Sequence, residues 1–360
     1  MPIPESRSAP GGGHKGPRVT IVGGGVMGCA TAYALIQRGY AVTLVEQFDV
    51  GHKRGSSHGA SRIFRFSYPD VRYVAMAMQA LPLWRSLERE ADEPLLVTTG
   101  GLDMGKDLHE HAVALRACGA PCELLSGTQA SSRWPNLSLP ENEQILYQGD
   151  AGIVLADRSV ATFAAAFQKR GGDLTERSRV LSLRPRAGSV DVATSNNSWK
   201  SECVIVTAGA WASSLLADIG IELATRPTRE TVAYFDYHGP PPPTLVEWGD
   251  PSIYALPSPD HGIKVGEHVA GPTTDPDLEG EVSEESIDRL RSWVASRYPD
   301  ASAEPTKAET CLYTNTPDEH FVLKRFGRIV VGSPCSGHGF KFAPLIGEQL
   351  ADLAEQALAS

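Results

Sequence analysis

Four stretches of this 360-residue chain carry side chains that could do chemistry. SSHGASRIFRFSY (56–68) holds His58, Arg62 and Arg65 among aromatic and aliphatic residues. The flanking Ile63, Phe64, Phe66 and Tyr68 argue for burial, and a buried guanidinium needs an anion, a carboxylate or a phosphate, onto which it can fork. If the segment is helical, the two arginines share a face. HGIKVGEH (261–268) sets Lys264 between Ile263 and Val265, with His268 at its end. A lysine so placed either lines the polar face of a strand or serves as a functional cation. SPCSGHGFKFAP (333–344) offers Ser336, His338 and Lys341, with glycines that let backbone approach a flat ligand closely. The helix that follows, starting near Pro344, would aim its positive end at that ligand. Ser336 and His338 could also be read as a hydrolytic pair, but no G-x-S-x-G elbow surrounds the serine. Finally, Cys311 in ETCLYTNTPDEHF (309–321) has no nearby disulfide or metal partner; taken alone it is either a small core residue or a reactive thiol.

The elements that must position these groups begin at residue 18. RVTIVGGGVMGCATAYALIQRGYAVTLVEQ (18–47) reads as strand, turn, helix and second strand. Gly23, Gly25 and Gly28 fit G-x-G-x-x-G, spanning Val26 and Met27. Gly23 suits a tight turn, Gly25 the approach of a pyrophosphate, and Gly28 close packing of helix on strand. The helix N-terminus supplies N–H groups and a positive dipole end for phosphates. Glu46, followed by Gln47, ends the second strand where an acid can bind ribose hydroxyls. The motif alone does not separate FAD from NAD.

Farther along, helices are expected over 71–90 (kinked near Pro82), 106–118, after Asp157 as a cap until Gly171 and Gly172, over 283–298 and over 344–358. The segments 191–195, 203–211 and 328–334 read as strands, the last two as buried parallel ones. The fold class that follows is α/β: a Rossmann-like domain assembled from separated segments (18–95, 153–220 and 322–360), with an inserted α+β substrate domain (96–152 and 221–321) carrying a mainly antiparallel sheet. Residues 1–17 read as a disordered leader.

The net charge of −10 advertises no face for nucleic acid or anionic membrane. No apolar run reaches membrane-spanning length. Six irregularly spaced cysteines fit a reducing cytoplasm rather than a disulfide framework, and Cys118 and Cys122 lack the second ligand pair of a zinc site.

Taken together and in order, the dinucleotide motif, SHGASRIFRFSY, RWP, GIVLADRSV, VIVTAGAW, GIKVGEH, CLYTNTPDEHF and CSGHGFKF resemble the monomeric sarcosine oxidase and N-methyltryptophan oxidase family over nearly the whole chain from residue 18. The resemblance implies an FAD-dependent amine oxidase that converts a secondary amino acid, N-methylated or cyclic, to an imine and returns electrons to dioxygen as peroxide. It implies that Cys311 bonds the flavin 8α-carbon as a thioether, a reaction that needs a thiolate. It implies that Arg65 and Lys341 hold a substrate carboxylate, that Lys264 activates oxygen, and that Arg62 and His58 lie beside the flavin ring. His268, Tyr313 and His338 match pocket residues, Tyr254 and Trp248 lie on a pocket strand, and bulky Trp248 puts the substrate side chain in question. Further FAD contacts fall on Ser61, Val180, Ala208, Gly209, Trp211, Gly337, Gly339 and Phe340. A monomer with only a small amino acid and dioxygen as partners is expected. The alternatives are a flavin-dependent amino acid dehydrogenase that passes electrons to a partner, and an NAD-dependent dehydrogenase.

Overall fold

A computed structural model describes residues 16–259 and 262–360. Most of the expected leader therefore lies outside the described residues, as does His261. The chain divides into two compact units, 1–58, 158–227 and 313–360 in the first, and 59–157 and 228–312 in the second.

The first unit is built on a six-stranded sheet in the order Val322–Phe326, Ile329–Ser333, Cys203–Val206, Arg18–Val22, Ala41–Val45 and Asp173–Thr175. All neighbours are parallel except the edge pair 322–326 and 329–333. Strands Cys203–Val206 and Ile329–Ser333 are buried along their whole length, as expected of parallel strands covered on both faces. Helices Val26–Gln37 and Ala343–Leu358 pack against each other. A three-stranded antiparallel sheet, Val180–Arg186, Ser189–Thr194 and Ser198–Ser201, adds Val180, Leu183, Val190 and Val192 to the same core.

The second unit holds an eight-stranded sheet in the order Lys307–Asn315, Arg226–Phe235, Gly262–His268, Ser252–Ser258, Thr244–Trp248, Gly101–Gly105, Gln144–Gln148 and Glu123–Ser126. Strands 226–235 through 244–248 pair antiparallel, as do 101–105 through 123–126, and 244–248 joins 101–105 in parallel. Side chains alternate across it. Ala233, Phe235, Ala255, Ile263 and Val265 meet Ile287, Leu290, Trp293 and Val294 of helix Glu284–Arg297, and Ala308 packs on this cluster. The intervening Tyr234, Lys264 and Glu309 therefore face the opposite side. There Leu256 and Tyr254 meet Ile63, Ile153 and Leu155 of a small antiparallel sheet formed by Ser61–Phe64, Gly152–Leu155 and Leu96–Thr98.

Several expectations change. Residues 59–95 group with the second unit, because Ser61–Phe64 pairs with Gly152–Leu155 and helix Val71–Ala91 packs on helix Leu108–Ala117. The other boundaries move to 158, 227 and 313. Arg62 lies on a strand and Arg65 just beyond it, so they do not share a helical face. Asp157 sits inside helix Ala156–Lys169 rather than ahead of it, and its Oδ1 accepts from the Gly59 N–H at 2.7 Å.

Candidate active site

In the first unit the glycine motif forms the turn between strand Arg18–Val22 and helix Val26–Gln37. Gly23 N–H donates to the Val45 carbonyl at 2.8 Å, tying the turn to the neighbouring strand. A Cβ on Gly28 would fall 1.8 Å from the Gly23 carbonyl, so only glycine lets the helix start this close to the turn. Val26 N–H donates to Ser57 Oγ at 3.1 Å, while the N–H groups of Gly25 and Met27 have no partner among the described residues. That open helix end suits a phosphate, and the residues present fit a dinucleotide cofactor. Glu46 is buried; its Oε2 accepts from Gly24 N–H at 2.6 Å and its Oε1 from Phe48 N–H at 2.8 Å. The carboxylate thus braces the glycine turn, with His52 Nε2 3.5 Å from Oε1. Gln47 follows directly.

Val180 is buried against Val22 and Val45, and the 3-10 turn Gly209–Trp211 follows Ala208, with Trp211 edge-on to Phe48 at 5.9 Å. The SGHGF segment belongs to this unit too. A Cβ on Gly337, at φ +74, would overlap the Tyr313 ring at 2.1 Å. Gly339 lies beside Met27, which a methyl there would meet at 3.4 Å. His338 stacks on Phe321 at 4.7 Å and its Nε2 lies 3.0 Å from the Glu319 carbonyl. Lys341 is buried and donates to the His338 carbonyl at 2.9 Å. Phe340 opens the 3-10 turn that leads into the last helix, which begins at Ala343. Ser336 Oγ accepts from Thr316 N–H at 3.1 Å and lies 3.2 Å from Thr316 Oγ1, which removes the Ser336–His338 hydrolase reading. His58, at the end of the unit's first segment, is buried.

In the second unit two cation clusters form. Lys264 is 3 % exposed, and its ammonium makes no hydrogen bond or ion pair among the described residues. Burial, and then the Arg62 guanidinium, push its pKa down to about 7, against the opposing pull of Cys311 and Glu309. Arg62 Nη1 donates to the Ser61 carbonyl at 2.9 Å, and Nη2 lies 4.0 Å from Cys311 Sγ. Ser61 itself is buried, bonded to the Pro257 carbonyl at 2.9 Å. A Cβ placed on Gly59 would have Arg62 Nη1 at 3.4 Å and both Glu309 Oε1 and Lys264 Nζ at 3.5 Å, so three charged atoms ring one point. Burial works against the Glu309 carboxylate, but the Lys307 ammonium at 2.8 Å, the Tyr234 hydroxyl and Lys264 hold its pKa at about 2.

The second cluster surrounds Arg65. Its guanidinium lies between the rings of Tyr68 and Trp248, at 4.6 Å and 4.9 Å. Nη1 donates to the Ser67 carbonyl and lies 3.5 Å from Asp103 Oδ1, which also accepts from Trp248 Nε1 at 2.9 Å. Tyr254 packs on Gly266, directly opposite it in the sheet, and His268 ends the Lys264 strand.

The model of the FAD dependent oxidoreductase family, DAO, matches residues 18–353. The chain belongs to this family. It is 32 % identical over 356 residues to monomeric sarcosine oxidase from Bacillus sp. (strain B-0618), covering 93 % of this chain and 91 % of the relative. Human peroxisomal sarcosine oxidase is 32 % identical over 357 residues, again covering 93 % of this chain and 91 % of the relative. Among solved structures, the open form of NikD, an amino acid oxidase of nikkomycin biosynthesis, superimposes with a TM-score of 0.85 at 25 % identity over 94 % of each chain.

Membership in the FAD family removes the NAD-dependent alternative and gives the open helix end at Gly25 and Met27 its cofactor class. Several residues around the two cation clusters carry little signal in the sequence. Glu309, Tyr234, Lys307, Asp103 and His111 were not singled out. A signal existed for two of them: Asp103 is a lone acid in the apolar strand Gly101–Gly105, and Glu309 shares a strand face with Cys311, two residues on.

Proposed function

We propose that the chain is an FAD-dependent oxidase of secondary amino acids, either N-methylated or cyclic, with the flavin bonded through a thioether to Cys311. The observation that carries this reading is Lys264: a buried ammonium with no ion-pair partner, on the same sheet face as Cys311 and next to Arg62. A buried cation held in a dry setting stabilises negative charge that develops beside it, and it needs no reorganisation to do so. The sarcosine oxidases named above and the amino acid oxidase NikD support the substrate class.

FAD, when bound, would supply a two-electron acceptor: a hydride leaves the carbon beside the amine nitrogen and the nitrogen loses its proton to give the imine, and the two electrons pass to dioxygen, which with two protons becomes peroxide. The chain's own residues would do the rest. Lys264 would supply positive charge for oxygen reduction. Arg65 and Lys341 would each offer a cation to the substrate carboxylate. Arg62, 4.0 Å from Cys311 Sγ, would place a positive charge beside the sulfur of the thioether linkage. The open N–H groups at Gly25 and Met27 would face the pyrophosphate. We further place the protein in the cytoplasm, on its irregularly spaced cysteines, and as a monomer.

Lys264→Met tests the assignment, because it keeps the volume and removes the charge. Rapid mixing should show oxygen reoxidation slowed by about a hundredfold or more, the range of a removed charge-stabilising group, with anaerobic reduction by substrate much less affected. Equal slowing of both half-reactions would discard the oxygen role. A dehydrogenase that uses a partner acceptor would show slow oxygen reoxidation already in the unaltered protein.

A further inference from the structure

Lys264 can stabilise developing negative charge only while it is protonated, yet its surroundings work against the proton. Burial and the neighbouring Arg62 both favour the neutral amine. Lys307 adds a third cation on the same sheet face. The carboxylate that opposes them is Glu309, which lies outside the matched CLYTNTPDEHF stretch.

Its placement follows from three adjacent strands. Lys307–Asn315 lies next to Arg226–Phe235, which lies next to Gly262–His268. Tyr234 of the middle strand stands directly opposite Lys264. The Tyr234 hydroxyl donates to Glu309 Oε1, and Lys307 Nζ grips Oε2 at 2.8 Å. Both oxygens are therefore fixed, with Oε1 turned toward the point that Arg62 Nη1 and Lys264 Nζ also approach. The Tyr234 ring lies between two ammonium groups, 5.6 Å from Lys264 Nζ and 4.8 Å from Lys307 Nζ. The remaining titratable groups facing this cluster are the Cys311 thiol and the Tyr254 phenol, while Asp157 is engaged by the Gly59 N–H. Glu309 is half-buried and Lys307 more exposed, so the cluster runs from a dry end at Lys264 toward solvent.

We propose that Glu309 is a positioning residue for the reaction: its carboxylate, anchored by Tyr234 and Lys307, keeps Lys264 in the ammonium form at neutral pH. The inference rests on the oxygen-activating reading of Lys264 for its consequence, but not for its test. Glu309 acts at a distance through charge and holds no substrate. Its own proton affinity is low, so it stays ionised over the range in which Lys264 titrates.

The test is a pH titration of the flavin-loaded protein labelled with [ζ-15N]lysine, with the Lys264 signal identified by its loss in Lys264→Met. Glu309→Gln should lower the Lys264 midpoint by at least about half a pH unit, as loss of a nearby opposite charge requires. Glu309→Asp, which keeps the charge, should bring the midpoint back toward that of the unaltered protein. Lys307→Met, at the more exposed end, removes a repelling cation and should raise the midpoint, and Glu309→Ala repeats the test of the carboxylate should Glu309→Gln fold poorly. A midpoint that stays put in both Glu309→Gln and Lys307→Met, or that rises in Glu309→Gln, would overturn the proposal. Oxygen reoxidation measured against pH in the same variants separates the two readings. A fall in rate that tracks the shifted midpoint supports both. A shifted midpoint with an unmoved rate profile upholds Glu309 as the charge partner and removes Lys264 from oxygen chemistry.

Discussion

Arg65 is gripped on one nitrogen. Nη1 takes both the Ser67 carbonyl and Asp103, while Nε and Nη2 have no partner among the described residues. With the Tyr68 and Trp248 rings against it, the guanidinium cannot turn freely, and the unused Nε–Nη2 edge is the geometry that forks onto a carboxylate. Arg65→Ala should therefore raise the KM for an amino acid by about ten- to a hundredfold, the equivalent of roughly 1.5–3 kcal/mol for a charge-assisted contact. Steady-state kinetics with the best substrate checks this, and an unchanged KM would remove Arg65 from the carboxylate site. The arginine was legible because aromatic neighbours in sequence announced its burial. Asp103 was not, since it lies 38 residues away and meets Arg65 only through the second unit's fold. A lone carboxylate in an apolar strand hints at burial, but tertiary packing is needed to name its partner.

At the scale of elements, local motifs carried the reading as far as local physics reaches. The turn at Gly23–Gly28, the buried strands and the last helix follow from glycine placement and apolar runs, and all appear. The strand Ser61–Phe64 was missed because it has only four residues, too few to show a period of two. It is stabilised by pairing with Gly152–Leu155, far along the chain. The helix Leu108–Ala117 buries His111, whose Nδ1 lies 2.9 Å from Ser67 Oγ. Burial pushes the His111 pKa down to about 4, with Asp103 opposing. The folded state therefore holds His111 neutral while the unfolded chain protonates near pH 6.5. Between those values the unfolded state binds more protons, so stability should be fully present above pH 6.5 and fall as pH drops toward 4. In denaturant titrations, His111→Gln should flatten that slope, because glutamine can keep one hydrogen bond without titrating. An undiminished slope would assign the acid sensitivity to other groups.

Over the whole molecule, the chain passes four times between two units, each with its own sheet and core. The first unit holds the open helix end fitted to a dinucleotide, and the second holds the cations around Cys311 and Arg65. The first was legible almost entirely, because phosphate recognition is concentrated in one stretch of about thirty residues. The second was legible only in its cations and its thiol. The carboxylates beside them, Glu309 and Asp103, carry only a faint local signal, and their partners are named by strand pairing and packing. Acid precipitation of the purified protein tests the proposed bond between flavin and Cys311 most directly. The yellow colour should stay in the pellet, the tryptic peptide that contains Cys311 should carry the mass of the flavin, and Cys311→Ser should release the colour to the supernatant. Colour lost from the unaltered protein, with Cys311 recovered as a free thiol, would contradict it.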